Sequence, residues 1–171
     1  MTNHCGTCTA CCRVFHIPEI DKPAGVWCKS CTVGVGCKVY DHRPTACQEF
    51  ECLWLQAQGR DDIREHLTDE LRPDRCKVVF HPSTDPDVMA ATTMPGAPDA
   101  WRKRKAVVKL IERLIASGYR VAVGAPASLT RTLITSSGER EQRMTPPDEN
   151  GMQWNIPEAK EQAAWLLKNP R

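Results

Sequence analysis

DAWRKRKAVVKLIERLIASG, residues 99–118, sets Val107, Leu110, Ile111, Leu114 and Ile115 at helical spacing between an aspartate suited to start a helix and a glycine suited to end one. The spacing predicts one long amphipathic helix whose apolar stripe needs a sheet to lie on. Runs rich in β-branched residues stand on both sides of it. CKVVF at 76–80 and VMAATT at 88–93 come before, separated by a Pro-containing turn; YRVAV at 119–123 and LTRTLI at 129–134 come after, joined by GAPA. The order strand, strand, helix, strand, strand predicts an α+β fold, a two-layer unit of about four strands with one long helix.

The flanks of this unit carry weaker signals. DDIREHLTDEL at 61–71 reads as a short connecting helix with Ile63, Leu67 and Leu71 on one face and Pro73 beyond its end. Residues 136–151, SSGEREQRMTPPDENG, read as an exposed loop. Asn155, Pro157 and Glu158 then open a C-terminal helix carrying Trp165 and Leu166. The expected organisation is a cysteine-rich metal-binding region at 1–60, docked on an α+β domain at 61–171.

With 171 residues, 41% hydrophobic and 26% charged, the chain has material for one globular domain, or one domain plus a small appendage. A net charge of +2 gives no ground for a nucleic-acid or anionic-membrane partner. The start, MTNHCGTC, has neither the basic nor the apolar part of a signal peptide, and no run approaches the roughly 20 apolar residues of a membrane span. A cytoplasmic protein without a membrane partner is expected, and a reducing cytosol disfavours structural disulfides.

Nine of the ten cysteines fall before residue 53, in a segment with little apolar periodicity; something other than a hydrophobic core must hold it. Cys5-x2-Cys8 and Cys28-x2-Cys31 have the spacing by which two thiolates of one tight turn reach the same ion. Around them stand Cys11, Cys12, Cys37, Cys47 and Cys52. One tetrahedral site needs four donors, so two sites or a cluster are expected. Zinc is the first choice. Iron, as ions or an iron-sulfur cluster, is the alternative: Cys5, Cys8 and Cys11 match the first three ligands of a bacterial ferredoxin run, which then lacks its x3-Cys-Pro. His4 and His42 are possible substitutes for a thiolate. Cys76, which opens a predicted strand, is expected to be a packing residue.

CGTCTACC at 5–12, followed by GCKVYDHRPTACQEFEC at 36–52, resembles a cysteine-cluster family described as a zinc- or iron-chelating domain, with the pattern C-x2-C-x2-C-C and C-x-V-Y-x2-R-P-x2-C-x2-F-x-C. The resemblance spans roughly residues 5–55. It implies ligation by Cys5, Cys8, Cys11 or Cys12, Cys37, Cys47 and Cys52, with one or both of Cys28 and Cys31, and it implies no reaction. The second CxxC supplies a thiol beyond that pattern. Beside the thiols, Arg43 is placed to offset the negative charge of a thiolate centre, and Tyr40, Phe50 and Trp54 to cover it with apolar surface.

Two other classes are weighed. An enzyme needs an open metal position or an activated nucleophile, and no HExxH, GxSxG or phosphate-binding glycine loop is present; redox or electron transfer through an iron-sulfur cluster is its best form. Nucleic-acid binding rests on Trp101 with Arg102, Lys103, Arg104 and Lys105, which also read as the solvated face of the helix.

Overall fold

In the computed structural model, which describes residues 5–58, 60 and 67–157, the cysteine-rich segment is a chain of short pieces. These are α1 (Cys11–Val14), the hairpin β1 (Cys31–Thr32) and β2 (Gly36–Cys37), α2 (Thr45–Glu49) and α3 (Leu53–Gln58). The hairpin turns on Gly34 at φ 75° and Gly36 at φ 144°, backbone that a side chain would resist. Next, α4 (Pro73–Cys76) leads into a sheet of β3 (Val78–Pro82), β4 (Val88–Thr93), β5 (Arg120–Gly124), β6 (Thr130–Thr135), β7 (Gly138–Met144) and β8 (Asn155–Ile156), adjacent in that order. All neighbours are antiparallel except β4 and β5, which run parallel with Ala90 opposite Ala122. Parallel neighbours need a crossover connection, and the stretch at 99–118 supplies it.

The α+β class and the order strand, strand, helix, strand, strand are those the sequence predicts, with corrections that have physical causes. The expected single helix is two, α5 (Ala100–Lys103) and α6 (Lys105–Ala116), broken at Arg104 by an extended backbone with φ −93° and ψ 110°. In an unbroken helix, Trp101 would lie about 120° around the axis from Val107. The break resets the phase, so that Trp101 is buried in the same core. The strand expected from residue 76 begins at Val78, because Cys76 ends a helical turn closed by Lys77 in the left-handed region, φ 66°.

The sheet has six strands where about four were expected. The expected loop at 136–151 contains β7, paired with β6 from Thr135↔Gly138 to Thr130↔Arg143. Its sequence, GEREQRM, is polar on both faces, and all but Gln142 and Met144 are exposed, so the alternation that marks a half-buried strand is missing from most of its length. Residues 61–66 of the expected connecting helix lie outside the described residues, and 69–71 form a 3-10 turn. The expected C-terminal helix at 158–171 also lies outside them.

Alternation along β3 assigns its side chains to two cores. Val78 and Phe80 pack with Met89, Ala91, Val121 and Val123 beneath Val107, Leu110 and Ile111 of α6. Val79 is buried on the other face with Cys8, Ala10, Val14, Cys52, Leu55 and Met94. The sheet is thus covered by a helix on one side and by the cysteine-rich segment on the other, with Ala57 of α3 reaching into the core beneath α6. Each fully buried aliphatic side chain contributes about 1.5–3 kcal/mol, and the segment buries few of them.

Candidate metal centre

The cysteine-rich segment encloses a cavity of about 900 Å³ whose wall includes Cys5, Cys8, Cys11, Cys12, Cys28, Cys37, Cys47 and Cys52. Short-range geometry sets these thiols. Both CxxC runs close tight turns, Cys8 N–H to Cys5 O at 3.0 Å and Cys31 N–H to Cys28 O at 3.1 Å. The first turns through Gly6 at φ 55°. Cys28 N–H donates to Cys12 O at 2.9 Å, which ties the two runs together, and the hairpin places Cys31 opposite Cys37. Pro44 opens α2 and accepts from Cys47 N–H at 2.9 Å. Cys31 is off the cavity wall, but its thiol is hydrogen-bonded with that of Cys12.

The thiols divide by charge. Hydrogen bonding with Cys11 pulls Cys12 down to about 6 and Cys5 down to about 7, and sharing its proton with both holds Cys11 well above the usual thiol range. Burial pushes Cys8, Cys47 and Cys52 up to about 11. Arg43 favours the thiolate at Cys5, Cys12 and Cys47. It is held by its Nε donating to Tyr40 O at 3.0 Å, with its guanidinium 3.8 Å from the centre of the Tyr40 ring. Both residues line the cavity.

Lys22 was not anticipated from the sequence. It is 5% exposed, lines the cavity, and donates to the carbonyls of Arg13 at 3.3 Å, Pro23 at 3.2 Å and Phe15. Desolvation lowers its pKa, while negative charge on Cys28, Cys12 and Cys47 opposes that shift. A buried ammonium is tolerated when it is hydrogen-bonded and faces anions. In the sequence it is an ordinary lysine; only the fold brings it to the thiols. The same is true of His16, which lines the cavity with its Nε2 buried and without a hydrogen-bond partner; Trp54, expected to cover the thiols, lines it too, its Nε1 likewise unpaired.

Among the described residues, no group of three or more His, Cys, Asp or Glu side chains is arranged to hold a metal ion as it stands. All ten thiols are free, and those of Cys5, Cys11, Cys12 and Cys31 are hydrogen-bonded in a chain. In chemistry the donor set fits a thiophilic ion: sulfur donors, two of them shifted toward thiolate, beside two cations that offset their charge. In number it exceeds one tetrahedron. His42 also lines the cavity, exposed on a 3-10 turn, and His4 lies outside the described residues.

Cys76 stands apart from this wall. It is buried beneath α6, with its Sγ 3.2 Å from Val78 O and 3.4 Å from Leu71 O. Cys76→Ala is expected to cost about 1 kcal/mol of stability and leave metal content unchanged, whereas Cys47→Ala releases metal. Equal metal loss from the two variants, measured by elemental analysis, would refute the distinction.

The basic run lies on the opposite side of the sheet from this segment. Arg102 stacks 3.9 Å from the Trp101 ring centre and forks onto Glu139 at 3.1 and 2.5 Å; Lys103 pairs with Asp99 at 3.4 Å. Arg104 and Lys105 are exposed at the helix break. Two of the four cations therefore already face carboxylates. Among the described residues no helix is long and apolar enough to cross a membrane. No family model, curated protein or solved structure matches the chain.

Proposed function

We propose that the protein binds zinc or iron through its N-terminal cysteines, and that the metal holds the segment together. The observation that carries this reading is the gathering of eight thiols on one cavity wall with Lys22 and Arg43 beside them. Four thiolates around a divalent ion leave net negative charge, which a buried lysine and an arginine offset. Cys5, Cys8, Cys11 or Cys12, Cys28, Cys37, Cys47 and Cys52 supply the donors, with Cys31 joined to them through Cys12. Two ions are expected because the thiols exceed the demand of one. The pattern at 5–12 and 36–52 supports the same reading. Bound metal supplies cross-links between turns that bury too little apolar surface to stay ordered alone.

Elemental analysis of protein purified anaerobically, without chelator or added metal, tests this directly. The expected result is one to two equivalents of zinc plus iron. Less than about half an equivalent overturns the proposal, given that structural zinc binds with apparent free energies of roughly 10–16 kcal/mol. Iron with brown colour would direct the reading to electron transfer, since eight thiols in one cavity suit a cluster equally well.

A further inference from the structure

We infer that His16 is a nitrogen ligand of the cysteine cavity, so that one ion is held by thiolates and an imidazole together. The inference rests on the metal-binding reading above and adds a donor of a different kind. His16 lines the cavity, and its Nε2 is buried with no hydrogen-bond partner. Buried polar atoms in folded proteins are almost always paired, so an unpaired ring nitrogen on the wall of a thiol cavity marks a missing partner. Trp54 Nε1 is unpaired on the same wall, but an indole N–H has no lone pair to give. Only the imidazole can ligate.

The position of the ring is built in from both sides. A Cβ at Gly151 would lie 2.6 Å from His16 Cβ and 2.8 Å from its Cγ, so the loop at 148–152 can press on the ring only because residue 151 is glycine. Gly151 itself adopts φ 75°. On the chain side, Lys22 fixes the carbonyls of Arg13 and Phe15, immediately before His16. Cys12 and His16 stand on either side of the end of α1 at Val14, and both line the cavity. His42 also lines the cavity, but it is exposed, so water satisfies it and nothing in its setting calls for an ion. A neutral imidazole in place of one thiolate also removes one negative charge, and mixed sulfur and nitrogen coordination suits zinc better than an all-thiolate iron-sulfur cluster.

The test loads cobalt(II) into the full-length, metal-free protein under anaerobic conditions and records the thiolate-to-cobalt charge-transfer band and the visible d–d bands. In the wild type both are expected. In His16→Ala the d–d bands shift and cobalt affinity falls at least about tenfold. In His16→Cys, which keeps a donor at the position, the d–d bands move to longer wavelength, toward an all-thiolate site. The absence of any charge-transfer band in the wild type would sink metal binding itself. A band that is present and unchanged in position and affinity in both variants would overturn only the role of His16. Should His16→Ala fail to fold, nitrogen NMR of the wild-type imidazole decides the matter: Nε2 shifts on zinc addition if it is a ligand and stays in place if it is not.

Discussion

Treatment with a chelator is expected to strip amide protection from residues 5–52 while β3 to β6 keep theirs, as read by hydrogen exchange. The two regions are held by different forces. Beneath α6, the sheet buries Val78, Phe80, Val107, Val121 and Val123 almost completely, an apolar core that needs no ion. The cysteine-rich segment has α1, α2 and α3, none longer than 6 residues, and a hairpin of 2-residue strands. Helices that short do not persist alone, and an isolated two-stranded hairpin is marginal at best. Metal binding of roughly 10–16 kcal/mol would therefore be most of the local stability, and its removal should lower protection there by several orders of magnitude. Some loosening should reach Val79 and Met94, which share a core with Cys8, Val14 and Cys52. Simultaneous loss of protection across both regions would show one cooperative unit and refute a division near residue 60.

How far the sequence discloses this architecture depends on whether each signal is local. Val107, Leu110 and Ile111 announce a helix because their spacing and their burial have the same cause, contact with a sheet. The break at Arg104 has no such mark, since it answers to the burial of Trp101 against strands distant in sequence. β7 is invisible for the opposite reason: with both faces polar, it is held chiefly by backbone pairing to β6 and β8. The gathering of the cysteines is legible because a CxxC turn is a short-range property, and eight of the nine cysteines before residue 53 line one cavity. Lys22 and His16 are not, because their meaning comes from what surrounds them.

Acidification from about pH 6.5 to pH 4 is expected to remove up to about 3 kcal/mol of stability through His81 alone. Its ring packs edge-on to Phe15 at 4.9 Å and lies 5.9 Å from Phe50, so it joins the sheet to the cysteine-rich segment. Nδ1 lies 2.9 Å from Pro82 O and Nε2 3.0 Å from Thr92 Oγ1, an arrangement that fits a neutral ring with Nδ1–H donating and the Thr92 hydroxyl donating to Nε2. Burial lowers its pKa to about 4, against an ordinary value of 6.5. Between those values the unfolded chain takes up a proton that the folded protein refuses. Stability is therefore full above pH 6.5, falls as the pH drops through the window, and levels off below 4. Chemical denaturation of wild type and His81→Gln across this range isolates the effect, because every other titrating group, the thiols included, acts on both proteins alike. The variant should start less stable at neutral pH and show the shallower decline. Parallel declines would mean that His81 titrates normally in the folded state and that the aromatic seam between sheet and cysteine segment is open to water.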